Sequence, residues 1–372
     1  MKVAFRVDAS LDMGTGHVMR CLTVADALKA RGAECHFLCR AHRGNLIELI
    51  RNKGYDTYVL DGSEPQDTSS SAMKQVSRAP QPAHAAWLGT SQEQDAAECV
   101  AILRELQADW LIVDHYALDA RWESELKPYC RHLLAIDDLA DRPHVCDLLL
   151  DQTFSRSPSD YASWVPAGCI LLCGSQYALL RPEFAELRPY SLQRREKPRL
   201  EHLLITMGGV DKDNATGRIL EALRLAELPA HCRITVVMGA NAPWLAKVRQ
   251  QAEQMPWSAE VRVAVDDMAR LMADCDLAIG AAGATSWERC CLGLPTVMVV
   301  LADNQRHVAD GLEQAGAALV LQHPAQIPDR LPGLLNSLFS SPQRGKALSL
   351  AAAHIADGRG AEALVRHMES LN

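Results

Sequence analysis

The sequence predicts an α/β chain of two doubly wound parallel sheets, one in each half, facing each other across a cleft. Three observations carry that expectation. Short apolar or β-branched runs alternate with helical patterns along the chain, the rhythm of βαβ units. A length of 372 residues is about two domains' worth. A composition 48% apolar and 23% charged can fill a core in each half.

In the first half, VAFRVD (3–8) reads as a strand. A helix from His17 to Arg31 follows, with Val18, Leu22, Ala25 and Leu28 on one face and Gly32 as its stop. HFLC (36–39), TYVL (57–60), WLIVD (110–114), LLAID (133–137), DLLLD (147–151) and ILLCG (170–174) supply further strands. Between them, 61–83 is rich in Ser, Pro and Gln and reads as an exposed insertion. The stretch 181–200 holds three prolines and many charges without a strand pattern, so it is the candidate connection between domains. A second series follows at 202–208, 233–239, 260–265, 277–280, 295–300 and 318–322. The expected division is a Rossmann-like domain over 1–190, a second over 201–345, and C-terminal helices over 346–372. Ligands of such sheets bind beyond the carboxyl ends of the strands, so the residues just after each strand carry the candidates.

Composition narrows the function. With 38 basic and 46 acidic residues the formal net charge is −8, which argues against a generic nucleic-acid or anionic-membrane surface. No apolar run approaches the ~18 residues of a membrane helix. The opening MKVAFRVDAS carries Lys2, Arg6 and Asp8, unlike a signal peptide. The 12 cysteines sit in apolar stretches and form no CxxC knuckle, so they read as reduced thiols in a cytoplasmic protein.

The first strand runs into Asp8-Ala-Ser-Leu-Asp-Met-Gly14-Thr15-Gly16-His17. Gly14 and Gly16 permit a tight turn and close approach of backbone to a ligand. Nicotinamide dinucleotide binding fails on two residues. Met19 stands where the third glycine of GxGxxG belongs, and Arg40 ends the second strand where a ribose-binding acid is needed. His17 lies at a helix start, where the helix dipole disfavours imidazolium, and a neutral imidazole beside a ligand turn can act as a general base. The alternative is a histidine that merely hydrogen-bonds its loop.

The stretch Gly280-Ala-Ala-Gly283-Ala284-Thr285-Ser286-Trp287-Glu288 is the most informative of the second half. A buried strand ends in a small-residue turn at a helix start, an arrangement that suits a diphosphate without a metal. Glu288 cannot bind phosphate but can accept two hydrogen bonds from ribose hydroxyls; ordinary small-residue packing is the competing interpretation. Gly208 and Gly209 after one strand, Met238 and Gly239 after the next, and Asn304 and Gln305 after the fifth line the same rim. On the first half's rim stand Asp8, Asp114, Tyr116, Asp137, Asp138 and Asp151, with Tyr177 further on. Asp8 and Asp114 are candidates to orient a hydroxyl- and amide-bearing substrate and Tyr116 and Tyr177 to contact it, while Asp138, Asp141 and Arg142 also read as a solvated loop. No HExxH or similar spacing supports a metal.

Taken together, RVDASLDMGTGHVMRCLTVADAL, VDHYALDARWE, IDDLADRPHVCDLLLDQ, QYALLRPEF, LLITMGGVD and GAAGATSWERCCLGLPTV resemble the UDP-2,4-diacetamido-2,4,6-trideoxy-β-L-altropyranose hydrolases of pseudaminic acid biosynthesis. The resemblance runs from the first strand to about residue 312. It implies a glycosyltransferase B-like architecture and cleavage of the anomeric C–O bond of a UDP-sugar to UDP and the free sugar, with inversion and without metal or cofactor. It also implies His17 as the base in an intact GTGH turn, and UDP contacts around Met238, Gly283 to Ser286 and Glu288. A glycosyltransferase using the same UDP site, or a non-catalytic nucleotide-sugar binding protein, is the alternative. The sugar's stereochemistry and the oligomeric state are not legible.

Overall fold

The computed structural model describes residues 1–61, 81–197, 199–263 and 265–371. Most of the 61–83 insertion therefore lies outside the described residues. The chain divides into two compact units. One comprises 1–152, 156–177 and 362–372, and the other 153–155 and 178–361.

In the first unit the strands are β1 (Lys2–Val7), β2 (Glu34–Arg40), β3 (Asp56–Leu60), β4 (Ala108–Asp114), β5 (Cys130–Ile136), β6 (Leu148–Asp151) and β7 (Ile170–Cys173). They pair in parallel in the order β3-β2-β1-β4-β5-β6-β7. Four helices, α1 (Gly16–Lys29), α2 (Ile47–Asn52), α3 (Gln92–Leu106) and α4 (Ala120–Leu126), make the crossovers. Central strands covered on both faces need continuous apolar runs, and Trp110, Leu111 and Ile112 of β4 are fully buried. The order reverses between β1 and β4, the switch point at which ligands bind in doubly wound sheets. Their register pairs Val7 with Asp114 and so sets the end of β4 beside the turn that leaves β1.

The second unit begins with α5 (Pro182–Arg194), then β8 (His202–Thr206), α6 (Ala215–Leu223), β9 (Arg233–Met238), α7 (Leu245–Glu253), β10 (Ser258–Val263) and α8 (Met268–Asp274). It continues through β11 (Leu277–Ala281), α9 (Thr285–Cys291), β12 (Thr296–Val299), α10 (Arg306–Gln314), β13 (Leu319–Leu321), α11 (Ile327–Phe339) and α12 (Pro342–Ala353). Its sheet is again parallel, in the order β10-β9-β8-β11-β12-β13. Two Rossmann-like sheets are thus present, with the switch point of the second between β8 and β11. Among the described residues no helix is long and apolar enough to cross a membrane.

The stretch read as a linker is mostly helical. Pro182 occupies the first turn of α5, where its missing N–H costs nothing. Pro189 lies inside the helix and removes one hydrogen bond, but tertiary bonds compensate. Arg188 donates to the carbonyls of Ala353 at 2.6 Å and Ala356 at 3.1 Å, and Ser191 Oγ to that of Leu292 at 2.7 Å. These contacts place α5 in the second unit. The last helix, α13 (Gly360–Leu371), returns to the first, where Glu369 pairs with Arg31 at 2.5 Å.

A buried ion network ties β1, β2 and α3 together. Arg6 is fully buried and reaches Asp8 Oδ1 at 2.7 Å and Asp95 Oδ2 at 2.7 Å. Asp95 also receives Arg40 Nη2 at 2.8 Å and Trp122 Nε1 at 2.9 Å. Arg40, the residue that argued against a dinucleotide, is thereby spent inside the fold. Removing one partner of such a network strands the other charges in a dry interior, which costs about 3–5 kcal/mol. Asp95→Ala will lower unfolding free energy by about that much in urea titration; a loss under about 1 kcal/mol would show that the network is not what holds α3 to the sheet.

Candidate functional site

The turn after β1 is built by Ser10 and Gly14. Ser10 Oγ accepts the amides of Asp12 and Met13 at 3.2 and 3.0 Å, and Gly14 N–H closes on the Ser10 carbonyl at 2.9 Å. Gly14 has φ +77°, a left-handed conformation that costs little only for glycine. Gly16 then starts α1 and sets His17 on its first turn.

His17 Nδ1 lies 2.6 Å from Asp114 Oδ1. Asp114 is wholly buried at the end of β4 and is clamped from the other side by Arg20, with Nε at 2.6 Å from Oδ2 and Nη2 at 2.8 Å from Oδ1. Burial works against ionisation here, but the charges and hydrogen bonds of Arg20 and His17 outweigh it and hold the carboxyl far below the usual range. An ionised carboxylate only accepts, so the ring proton sits on Nδ1 and the lone pair of the neutral ring on Nε2. Nε2 makes no hydrogen bond among the described residues, and the side chain keeps 10% of its surface.

Arg20 also reaches Asp138 Oδ2 at 2.5 Å, and Tyr116 OH donates to that oxygen at 2.7 Å. Burial and then Asp138 push the Tyr116 phenol up, so it stays a donor. The His17 ring meets Tyr116 edge-on at 4.6 Å, and Trp87 lies nearly parallel to Tyr116 at 5.9 Å. His84 stands 4.3 Å from Trp87, and burial lowers its pKa. Tyr116 thus packs on the His17 ring, and Trp87 and His84 pack in turn on Tyr116.

This geometry revises several expected roles. Asp114 holds the histidine instead of a sugar, because His17 and Arg20 take up both of its oxygens. Asp8 is buried in the ion network; its Oδ1 also accepts the Arg40 amide at 2.7 Å, and His115 Nε2 lies 3.3 Å from its Oδ2. Tyr177 packs 6.4 Å from His367 of α13, and no contact joins it to the His17 cluster among the described residues. Asp138 and Arg142 are no solvated loop. Asp138 bridges Arg20 and Tyr116, while Arg142, 5% exposed, pairs with Asp137 at 2.7 Å. Asp137 and Asp151 share the buried Tyr161 hydroxyl, each at 2.8 Å. Arg20, His84 and Trp87 escaped the sequence reading, and Asp138 was legible only as a rim or loop residue. Arg20 had a signal, since it stands three residues after His17 and shares its helix face.

In the second unit the turns after β8 and β9 meet. The Gly239 amide donates to the Gly209 carbonyl at 3.0 Å, and a Cβ at Gly239 would lie 2.3 Å from that oxygen. Gly208 has φ +87°. The first amides of α6 are already taken, since Asp211 accepts from Ala215 at 2.8 Å and Thr216 at 2.9 Å. After β11 the case is opposite. The amides of Gly283, Ala284 and Thr285 have no partner among the described residues, and Ala284 caps α9 without a side-chain bond. Among the described residues nothing but Gln305 Nε2, at 4.0 Å, comes near where a Gly283 Cβ would be. Gln305 Oε1 accepts the Leu301 amide at 3.0 Å, and Asn304 is exposed. Two expected contacts lose their side chains to the interior. Met238 is 2% exposed in the core, and Ser286 is fully buried, its hydroxyl held by Arg289 at 3.2 Å. Among the described residues no three His, Cys, Asp or Glu side chains are grouped to hold a metal ion.

Glu288 is half-buried, and burial raises its pKa to about 7 against the pull of Arg181 and Arg289. The folded state thus favours the protonated acid. The contribution is fully present below the ordinary value of 4.5 and is lost as pH rises through about 7. Glu288→Gln, which mimics the protonated form, will melt at the same temperature as the parent near pH 4.5 and higher than it at pH 8; equal melting at both would contradict the shift.

Residues 202–363 match the glycosyltransferase family 28 C-terminal domain. Over 319 residues the chain is 26% identical to the UDP-2,4-diacetamido-2,4,6-trideoxy-β-L-altropyranose hydrolase of Campylobacter jejuni, a match covering 85% of this chain and 97% of that one. The resemblance carried by the motifs is thereby borne out. Over 124 residues, 30% of this chain and 32% of the relative, it is 40% identical to the UDP-N-acetylglucosamine–N-acetylmuramyl-(pentapeptide) pyrophosphoryl-undecaprenol N-acetylglucosamine transferase of Chromobacterium violaceum. The solved structure of Acinetobacter baumannii MurG superposes with a TM-score of 0.71 at 17% identity, covering 99% of both chains, which establishes the shared two-domain fold.

Proposed function

We propose that this chain hydrolyses a UDP-sugar at the anomeric C–O bond, in pseudaminic acid biosynthesis, with UDP-2,4-diacetamido-2,4,6-trideoxy-β-L-altropyranose, the compound for which its Campylobacter jejuni relative is named, as substrate. The observation that carries the reading is the Arg20–Asp114–His17 relay at the switch point of the first sheet. It fixes the tautomer and direction of a base and leaves Nε2 as the open nitrogen. Similarity over almost the whole hydrolase supports hydrolysis over transfer.

In this scheme a water molecule gives its proton to His17 Nε2 as its oxygen bonds to the anomeric carbon. The bond from that carbon to the diphosphate oxygen breaks, and its electron pair leaves with UDP. Attack opposite the leaving group inverts the centre. The open amides of Gly283, Ala284 and Thr285 receive the diphosphate, with Asn304 and Gln305 at the same rim. Gly208, Gly209 and Gly239 shape the neighbouring turns, and Glu288 accepts hydrogen bonds from the ribose hydroxyls. On the first unit Tyr116, Trp87 and His84 offer apolar ring faces to the deoxygenated sugar.

General-base catalysis contributes about 10²–10⁴-fold. His17→Asn will lower kcat by about that range with UDP affinity unchanged, and Asp114→Asn, which frees the wrong ring nitrogen, will lose most of the same factor. Full activity in His17→Asn would remove His17 as the base. The reaction itself is tested in water enriched in oxygen-18. Label is expected in the released sugar and none in UDP; label in the phosphate would mean attack at phosphorus, and transfer of the sugar only to an added acceptor would mean a transferase.

A further inference from the structure

Arg289 is the feature of the second unit that the proposed reaction has not used. It is 1% exposed, yet no carboxylate lies within ion-pairing distance of it among the described residues. The buried arginines of the first unit differ: Arg6, Arg20, Arg40 and Arg142 each pair with Asp or Glu. Arg195 of the second unit also lacks a carboxylate, but its guanidinium ends on the carbonyls of Ser191, Met272, Ala273 and Cys275, most of them at the negative end of α8. Arg289 instead reaches up beneath the turn after β11. Its Nη2 donates to the Ala281 carbonyl at 2.7 Å and Ser286 Oγ at 3.2 Å, and its Nη1 to Thr285 Oγ1 at 3.2 Å.

The backbone makes room for this cation. A Cβ at Gly280 would lie 2.1 Å from Arg289 Nη1 and 2.8 Å from Cζ. Gly280 has no positive φ, so space and not conformation requires glycine there. Burying a charge without an opposite charge is costly. Here that charge is bonded to Ala281, Thr285 and Ser286, the residues that flank and include the three amides without partners among the described residues. Burial lowers its pKa to about 10, which still leaves it a cation at neutral pH.

We propose that Arg289 is a positioning residue that supplies the fixed counter-charge for a nucleoside diphosphate bound on the turn 281–285, acting through the Thr285 hydroxyl. The Nη1–H occupies a lone pair of Thr285 Oγ1, so the hydroxyl proton is free to be donated outward to a phosphate oxygen. The charge strengthens that donor and the neighbouring amides without touching the ligand. This inference rests on the UDP site proposed above and assigns the charge that holds its diphosphate.

Calorimetric titration with UDP and with uridine tests it, using the parent, Arg289→Met, Arg289→Lys, Thr285→Val and the Arg289→Met/Thr285→Val pair. Charge-assisted bonds predict about 10–100-fold weaker UDP binding for Arg289→Met and a smaller loss for Arg289→Lys, which keeps the charge. Thr285→Val will weaken UDP binding, and the paired change will cost less than the product of the two single losses. Uridine, which lacks phosphates, will bind all variants alike. Parent-like UDP affinity in Arg289→Met or in Thr285→Val overturns the inference while the UDP site stands. Equal losses for UDP and uridine also overturn it, since they mean that Arg289 only shapes the turn. A parent protein that binds neither UDP nor uridine removes the UDP site itself. Should the Arg289 variants fail to fold, the Thr285→Val titration alone still decides.

Discussion

The first unit is organised around a single buried carboxylate. Asp114 ends a central strand with no exposed surface and stays ionised, so the fold must bring positive charge and donors to it. Arg20 and His17 come from one helix, α1, on the same face and three residues apart. Their shared acceptor therefore fixes the pitch of that helix against β4 as well as the direction of the imidazole. Arg20 passes the constraint outward to Asp138, and Asp138 to Tyr116, whose ring borders His17. His17, Asp114, Arg20, Asp138 and Tyr116 thus form one hydrogen-bonded assembly, not a set of independent contacts.

The two sheets repeat one topology and put different chemistry at the same place in it. In each, the strand order turns about the first strand and its neighbour, and the site residues follow those two strands. The first unit fills that point with titratable side chains locked by ion pairs. The second fills it with small residues whose amides stay open, after Asp211 has closed the competing helix start. Proton transfer needs the first kind of surface and anion binding the second.

Much of the fold was legible because parallel strands buried on both faces are continuous apolar runs, and each expected strand is present. The 181–200 stretch misled because prolines and charges mark a linker by composition, while Arg188, Ser191 and Arg195 make α5 a packed helix through bonds to carbonyls 77 to 168 positions away. At the site, Gly14, Gly16 and His17 were readable from their spacing, and the 283–288 turn from its small residues. What could not be read was direction. A strand-end aspartate looks the same in sequence whether it faces a ligand or the interior. Asp8 and Asp114 turn inward because Arg6 and Arg20 wait there; Arg6 stands only two residues before Asp8, but Arg20 lies 94 positions from Asp114, with no local spacing to reveal the pair. Arg289 was hidden for the same reason: only the packed turn shows that it lacks a carboxylate.

The account stands on the state of one imidazole. Nitrogen-15 NMR of histidine-labelled protein, with the His17 resonances assigned by their loss in His17→Gln, reports which ring nitrogen carries the proton when the ring is neutral. The account predicts a proton on Nδ1, bonded to Asp114, and an unprotonated Nε2. A proton on Nε2 would leave no lone pair for water and would contradict it.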